Sequence, residues 1–307
     1  DAALKLGDLG DPNHLREVLL TSNTRLVRAE YLWHLLKAWA VERVVIRGRE
    51  NLRPLCQEGE TLPRRQEAED ATFPTGDGST TSALVSRDEL EHWCTEEDAF
   101  IMAVSHCWET KLHPDPTNHQ LQLIADFTSL HCAAYGRPVW LFYDYVCLFQ
   151  YPRDDGQERH FREALANMHT FYAHECTYTL RVQSLSPMTR WTQHLSSGKK
   201  IIVYDEQGQK SQATLGQLNK NEVPYEERGW CQSEMEWSST RARIAQNQRI
   251  DTVRGLQTGA KSPTPPELFE QMMIEKGLKF TNKEDLDKVI MLQRKVYQQK
   301  ARAQVGF

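Results

Sequence analysis

Apolar and polar positions alternate in blocks along the middle of the chain. Residues 100–104 (FIMAV) are apolar and a polar turn follows, which predicts a buried strand that ends in a loop. Thr117 and Gln120 have the spacing of a capping box and predict the start of a helix. Apolar residues then recur at spacings of four, three and four, the period of that helix: Leu123, Phe127, Leu130 and Ala134.

The most apolar segment of the chain follows this helix. Residues 139–149 (VWLFYDYVCLF) are rich in β-formers and are interrupted only by Asp144, so we predict that 139–148 is the central strand, covered on both faces. A helical pattern and another strand, 177–182, come next. Strand, helix, strand, helix and strand in this order predict an α/β fold with a parallel sheet flanked by helices.

The flanking segments differ in composition and predict a division of the chain. Residues 57–85 are charged or small and polar, with a run (TGDGSTTS) that we do not expect to bury enough apolar surface to become ordered. Two short β-patterns around a glycine suggest an inserted hairpin. The expected units are a helical N-terminal extension (1–56), a linker or long loop (57–85), the α/β domain (86–250) with its insert (183–223), a second linker (251–265) and a helical tail (266–307).

Composition limits the classes of partner and the cellular compartment that we expect for this protein. The 307 residues carry a net charge of −5, so no general attraction to nucleic acid or to an anionic membrane is expected. Seven dispersed cysteines without a C-x-x-C pair indicate reduced thiols. No apolar run approaches the ~18 residues of a membrane span. We therefore expect a cytoplasmic protein with no nucleic-acid or membrane partner.

Residues 228–237 (RGWCQSEMEW) concentrate two tryptophans, a cysteine and two acids in ten positions. Pro224 and Gly229 precede an uninterrupted stretch, so a helix is predicted to begin near Gly229. On that helix Trp230, Glu234 and Trp237 share one face, with the acid between two indoles. One interpretation is a cleft that desolvates Glu234; the other is an amphipathic helix with its tryptophans in the core.

Three blocks in order resemble the heterokaryon-incompatibility (HET) domain. AVSHCW (103–108) resembles its strand ending in Ser-Tyr-x-Trp-Gly, and VWLFYDYVCLFQ (139–150) resembles its strand carrying Asp-Ala-x-Cys-Ile-x-Gln. RGWCQSE (228–234) resembles its Arg-x-Trp-x-x-Gln-Glu block. The chain departs from the family at Glu109, Tyr145 and Ser233. The resemblance covers residues 99–240, about half of the chain.

HET domains are similar in fold to Toll/interleukin-1 receptor (TIR) domains, so the resemblance implies a TIR-like, flavodoxin-like sheet. The third block also looks like the TIR pattern Ser-x-Trp-Cys-x-x-Glu-Leu, with Glu234 at the position of the glutamate that is catalytic in NAD-hydrolysing TIR domains. The implied activity is hydrolysis of the nicotinamide–ribose bond of NAD⁺, with NAD⁺ as substrate and no other cofactor. Nicotinamide leaves as a neutral group, so one carboxylate can suffice to stabilise the oxocarbenium charge.

The residues expected to contact NAD⁺ or a related nucleotide lie in the three blocks: Ser105, His106, Trp108, Asp144, Arg228 and Trp230. Ser105 and His106 follow the first strand, where open α/β sheets bind ligands, and Trp108 or Trp230 has a ring on which the ligand can stack. Asp144, in an apolar segment, must find a hydrogen-bond partner and therefore has an expected role in maintaining the fold.

The same residues give little support to other chemistries. Cys147 and Cys231 have no evident histidine partner for thiol catalysis, and the sequence has no H-E-x-x-H motif, so no metal site is expected.

Two functions are open at this point. The first is a TIR-like NAD⁺ hydrolase in defence or cell-death signalling that becomes a homo-oligomer on activation, with ADP-ribose or its cyclic form as product. The alternative is a non-catalytic interaction module that signals by self-association, since one fold can host both. A Glu234 that faces an open cleft beside Ser105 and Trp108 would favour the enzyme, whereas burial against the tail helices would favour the module.

Overall fold

A computed structural model describes residues 7–36, 41–46, 49–54, 61–93, 99–205, 207–252, 257–282 and 284–305. Within these ranges the helices are α1 (Pro12–Thr21), α2 (Ala29–Leu35), α3 (Arg65–Ala68), α4 (Arg87–His92), α5 (His119–Tyr135), α6 (Asp144–Cys147), α7 (Asp155–Ala166), α8 (Met168–Ala173), α9 (Met188–Ser197), α10 (Gly229–Ser239), α11 (Pro266–Glu275) and α12 (Asp285–Val305). The strands are β1 (Val27–Arg28), β2 (Val41–Ile46), β3 (Arg49–Pro54), β4 (Thr72–Pro74), β5 (Thr80–Ser82), β6 (Phe100–His106), β7 (Val139–Phe142), β8 (Thr177–Val182), β9 (Lys200–Tyr204), β10 (Lys210–Thr214) and β11 (Asn247–Arg249). Short 3₁₀ turns span Leu215–Gln217, Tyr225–Glu227 and Ile244–Gln246.

A five-stranded sheet in the order β1-β7-β6-β8-β11 lies at the centre of the fold. β7, β6, β8 and β11 run parallel, and β1 adds an antiparallel edge. The chain goes from β6 to β7 on one side and then returns past β6 to β8 on the other. Since such connections are right-handed, α5 and the α7–α8 pair cover opposite faces. The predicted α/β architecture, a mostly parallel sheet flanked by helices, is confirmed.

The prediction that 139–148 is the central strand is wrong. The strand ends at Phe142, a helical turn (α6) follows, and β6 occupies the centre. The Asp144 carboxylate accepts a hydrogen bond from the backbone N–H of Tyr145 at 2.6 Å, which favours a turn over continued pairing. The apolar run continues because α6 is itself buried, and periodicity cannot separate a buried turn from a strand. The expected burial of β7 on both faces is confirmed.

The expectation of a linker at 57–85 is wrong for the residues that the structure describes, 61–85. They contain α3 and the β4–β5 hairpin, and Leu62, Phe73 and Leu84 are buried in the main core. The polar run is ordered by local hydrogen bonds: Asp77 accepts from the Thr75 hydroxyl at 2.6 Å and from the backbone of Ser79 at 3.0 Å. Such turns need no apolar burial of their own. Residues 57–60 lie outside the described part.

The terminal segments share the main core. Side chains of α1 and α2 pack in the same hydrophobic cluster as the sheet, and α12 contributes Val289, Leu292 and Val296 to it. The predicted tail helices are present as α11 and α12, and the described residues just before them, 257–265, form neither a helix nor a strand. Among the described helices, none has the length and apolar character needed to cross a bilayer.

The predicted inserted hairpin is confirmed. β9 and β10 pair antiparallel, from Lys200 with Thr214 to Tyr204 with Lys210. Together with α9 they bury a small cluster of their own that includes Trp191, Ile201 and Val203. The buried Glu109, just after β6, anchors this insert: its carboxylate accepts from the Ser186 backbone N–H at 2.8 Å and from the Trp191 indole at 3.3 Å. The insert is therefore fixed to the end of the central strand.

Candidate functional site

The carboxyl end of β6 lies where the chain reverses its direction across the sheet. The next connection leads to β7 on one side, and β8 lies on the other. In open α/β sheets this switch point forms a crevice outside the strand ends, where ligands bind. Ser105 and His106, the last two residues of β6, lie there beside Arg181 and Val182 of β8. The predicted location of both residues at a strand end is confirmed.

One group of side chains, the Asp144 cluster (His106, Trp108, Gln120 and Asp144), lies on the α5 and α6 side of the β6 end. His106 Nε2 contacts Asp144 Oδ1 at 2.9 Å, and the Trp108 indole N–H donates to Asp144 Oδ2 at 2.9 Å. His106 Nδ1 contacts Gln120 Oε1 at 2.8 Å. Since Gln120 donates its amide N–H to the Cys107 carbonyl, its oxygen must accept from His106.

The Asp144 cluster therefore holds an ion pair. His106 donates from both ring nitrogens, which is the hydrogen-bond pattern of an imidazolium. Burial would lower the pKa of His106, but the charge of Asp144 and its hydrogen bond outweigh burial and raise it. Conversely, burial would raise the pKa of Asp144, yet His106 and Trp108 lower it. The imidazole is 2% exposed, whereas the Asp144 side chain is 32% exposed, so the pair reaches solvent at its acidic end.

A second group, the Glu234 cluster (Ser105, Tyr172, Tyr225 and Glu234), lies where α10 meets the same strand end. The Ser105 hydroxyl donates to Glu234 Oε2 at 2.6 Å and lies 2.6 Å from the Tyr225 hydroxyl. The Tyr172 hydroxyl donates to the Val104 carbonyl at 3.0 Å, and its interaction with Glu234 lowers the pKa of that carboxyl. Ser105 and both tyrosines are buried, and Glu234 is half-buried.

Glu234 differs from Asp144 in its protonation. Burial raises its pKa from 4.5 to about 8, and the charge of Asp144 acts in the same direction. The Ser105 hydrogen bond and the charge of His106 lower the pKa but do not outweigh burial. A carboxyl group that is protonated near neutral pH while a neighbouring carboxylate stays ionised is typical of a site with divided chemical roles.

The helix that carries Glu234 begins at Gly229, as predicted. A β-carbon at Gly229 would lie 2.0 Å from Cζ of Phe280, so the ring of Phe280 requires a glycine there. The indole N–H of Trp230 donates to Asp285 at 3.0 Å, and that of Trp237 donates to Gln293 at 2.9 Å. Both indole N–H groups thus bind α12, whereas the Glu234 carboxylate binds β6.

Arg228 holds the loops around the site. Its guanidinium donates to the Trp108 carbonyl at 2.7 Å, to the Val223 carbonyl at 2.8 Å and to the Asn221 carbonyl at 3.3 Å. These bonds connect the loop after β6 with the segment before α10. The structure therefore shows Arg228 positioning the backbone of Trp108, while the ring of Trp108 is half-buried and in edge contact with Tyr145.

Two thiols lie between the clusters. Cys107 and Cys231 are buried and hydrogen-bonded through their side chains, and this contact lowers the pKa of Cys107. The Cys231 thiol donates to the His106 carbonyl at 3.3 Å. Cys147 is buried too, and burial raises its pKa to about 12. All five cysteines in the described part of the chain are free; Cys56 and Cys94 lie outside it.

Gln120, Tyr172 and Tyr225 belong to the site although the sequence patterns did not predict them there. Gln120 has capping-box spacing from Thr117, but α5 begins after Asn118 and the Gln120 side chain turns to His106. The backbone N–H groups at the start of α5 are capped instead by Asp115, which accepts from His119 at 2.9 Å. Tyr225 belongs to a short turn without periodicity, so no sequence signal singles it out.

Neither a metal-binding group nor a known relative points to a function. Over the described ranges, no group of three or more His, Cys, Asp or Glu side chains is arranged to hold a metal ion. No protein-family model, no curated protein and no solved structure matches this chain. The resemblance to HET and TIR motifs therefore depends on the three sequence blocks alone.

Proposed function

We propose that this chain is a TIR-like NAD⁺ hydrolase that cleaves the nicotinamide–ribose bond, with Glu234 as its catalytic residue. One observation carries the proposal: the half-buried Glu234 carboxylate lies at the carboxyl end of the central parallel strand, bonded to Ser105 at 2.6 Å. This is the crevice in which open α/β sheets bind nucleotides. The position agrees with the glutamate of the TIR pattern, to which the third sequence block is similar.

The electrostatics of the Glu234 cluster suit a substrate with a positively charged ring at the reacting bond. Ionised Glu234 would stabilise the oxocarbenium-like charge that develops on the ribose as neutral nicotinamide departs. In the free protein, burial raises the pKa of the Glu234 carboxyl to about 8, so the group is protonated at neutral pH. The positive nicotinamide ring of bound NAD⁺ favours the ionised form and lowers that pKa. Binding of NAD⁺ therefore prepares the carboxylate that the reaction requires.

The other residues receive supporting roles in this proposal. Ser105 orients Glu234 through its hydroxyl, and Tyr225 orients Ser105. The Asp144–His106 pair fixes the end of β6, and the 32% exposed Asp144 contributes negative charge for the positive nicotinamide ring. The half-buried Trp108 ring offers a surface on which nicotinamide or adenine can stack. We assign no ligand contact to Arg228 or Trp230, whose polar atoms bind backbone carbonyls and Asp285.

The wider role follows from the same resemblance. We propose that the parallel sheet is of the TIR-like, flavodoxin-like type, and that the activity serves defence or cell-death signalling. Assembly into a homo-oligomer would then activate the enzyme, with ADP-ribose or its cyclic form as the product. The expected cytoplasmic location and the absence of nucleic-acid and membrane partners belong to this same proposal.

Glutamine substitutions on α10 test the catalytic assignment. Glu234→Gln keeps the size of the side chain and removes its charge, so nicotinamide release from NAD⁺ should fall by ~10²–10³-fold or more. Glu236→Gln is the matched control, because Glu236 points away and accepts from Thr264 at 3.0 Å and 2.6 Å. Its variant should retain activity. Products are separated by chromatography; equal losses in both variants, or loss only in Glu236→Gln, would contradict the assignment.

A non-catalytic module that self-associates is the second candidate. The observation in its favour is a set of exposed apolar side chains on α11 and α12: Leu268, Ile274, Met291 and Tyr297. Exposed apolar surface is typical of protein contact sites. Sedimentation of the protein over a concentration series, combined with the NAD⁺ assay, separates the two: self-association with intact NAD⁺ at every concentration supports the module.

A further inference from the structure

A cleft of about 350 Å³ lies between α2 and the β4–β5 hairpin, outside both clusters of the candidate site. Glu30 and Trp33 line it from α2, and Phe73 lines it from β4, with His34 and the turn at 74–76 completing the wall. Its volume is in the range of small-molecule sites. The lining is mainly apolar and holds one carboxylate beside the His34 imidazole and the Thr75 hydroxyl, a composition that recognises a ligand with one charged group.

Glu30 has no cationic partner among the described residues around this cleft. It is half-buried, and within the same ranges no ion pair and no side-chain hydrogen bond reaches its carboxylate. The nearby Arg28 is held by Glu89, which binds its guanidinium through two contacts of 2.7 Å. Burial raises the pKa of Glu30, so the ionised carboxylate is incompletely solvated. The backbone N–H of Glu30 and the charge of Arg28 lower this pKa but do not outweigh burial, so a cation that enters the cleft stabilises the half-buried carboxylate.

The aromatic walls are fixed in place. The Trp33 indole N–H donates to the Thr128 hydroxyl at 3.0 Å, which leaves the carbon atoms of the ring to line the cleft. Phe73 is 5% exposed and its ring contacts Tyr31 and His34 at centroid distances of 5.9 Å and 6.3 Å. Aromatic rings attract cations through their quadrupole and also bury hydrocarbon. Anions are disfavoured, because the carboxylate faces the same space.

We propose that this cleft binds a small organic ammonium ion, whose N–H groups donate to Glu30 and whose hydrocarbon body packs against Trp33 and Phe73. The ammonium supplies the charge that Glu30 lacks, and the body fills an apolar space that water occupies poorly. The site does not depend on the proposed NAD⁺ chemistry, since no residue is shared between the two. It assigns the N-terminal helices and the hairpin a binding role of their own.

Calorimetric titration with 2-phenylethylammonium chloride tests the proposal, with the neutral 2-phenylethanol as the matched ligand. The ammonium should bind about ten- to a hundredfold more tightly than the alcohol, the ratio expected of a charge-assisted hydrogen bond. Glu30→Gln should abolish that preference, and Glu17→Gln, on the exposed surface of α1, should keep it. Phe73→Leu, which keeps an apolar wall without a ring, should weaken ammonium binding about fivefold.

The indole N–H resonance of Trp33 locates the binding. It is assigned by its disappearance in Trp33→Phe, and it should shift on addition of the ammonium probe to the wild-type protein. Equal affinities for the ammonium and the alcohol, no detectable binding of the ammonium at millimolar concentration, or an unchanged preference in a folded Glu30→Gln protein would each overturn the proposal. Activity towards NAD⁺ is not part of the readout.

Discussion

The Asp144 cluster and the Glu234 cluster lie on two sides of the same strand end, yet they shift the pKa values of their carboxyl groups in opposite directions. Asp144 faces a buried imidazolium and an indole N–H, and its pKa is lowered. Glu234 faces hydroxyl groups of Ser105 and Tyr172, and its pKa is raised to about 8. Burial pushes both pKa values upward, so the difference comes from the partners: a cation offsets desolvation and hydroxyl groups do not.

This difference assigns the two acids to different tasks. Asp144 is committed to His106 and Trp108, which hold the strand end and the loop after it. Glu234 has no cation in direct contact among the residues that the structure describes, so a positively charged group of a ligand would lower its pKa and ionise it near neutral pH. We therefore expect a structural effect for changes at Asp144 and a chemical effect for changes at Glu234.

Breaking the ion pair should produce the largest loss of stability. Asp144→Asn leaves His106 buried beside a neutral amide, so the imidazolium loses its partner and the free energy of unfolding should fall by about 3 kcal/mol. Urea denaturation measures the loss. Asp70→Asn, an exposed aspartate after α3, is the control and should leave stability within ~0.5 kcal/mol of the wild type. An unchanged Asp144→Asn protein would show that the pair does not stabilise the strand end.

The pH dependence of stability should show the raised pKa of Glu234. Its pKa is about 8 in the folded protein against 4.5 for an unperturbed glutamate, so its stabilising contribution is complete below pH 4.5 and disappears as the pH rises to 8. The wild type should therefore lose up to about 1.4 kcal/mol per pH unit relative to Glu234→Gln between pH 5 and 8. Urea titrations of both proteins at several pH values measure the slope. Parallel curves would mean that Glu234 titrates normally.

The smallest expected effect belongs to Trp230. Trp230→Phe removes the hydrogen bond to Asp285 and keeps an aromatic ring, so the free energy of unfolding should fall by about 1 kcal/mol. The kcat and KM for NAD⁺ should not change, because the indole N–H binds α12 and lies outside both clusters. A KM raised severalfold with unchanged stability would instead place Trp230 against the ligand.

The sequence was sufficient to predict the alternation of strands and helices and the location of the strand end. Residues 100–104 are apolar with a polar turn after them, and the structure places Ser105 and His106 at that end. The start of the Glu234 helix was predicted because Gly229 and Pro224 interrupt the chain locally. These features depend on neighbouring residues, which sequence patterns report directly.

The order of the strands and the partners of Asp144 depend on contacts that are distant in sequence. The apolar run 139–149 fits a strand and a buried helical turn equally well, and only the contacts of Asp144 with His106 and Trp108 decide between them. Likewise, Gln120 fits a capping box until its amide is seen to bind His106. A single sequence carries no signal for pairs separated by 14 to 38 residues.

The rate of nicotinamide release from NAD⁺ as a function of pH, in the wild type and in Glu234→Gln, tests the central claim most directly. The measurement is made on concentrated protein and on protein clustered on a surface, with chromatography of the products. We predict that kcat/KM of the wild type rises with pH to a plateau above about 8, the pKa of Glu234 in the free protein, and that it is lower by ~10²–10³-fold or more in Glu234→Gln. Intact NAD⁺ at every pH, or equal rates in the two proteins, would contradict it.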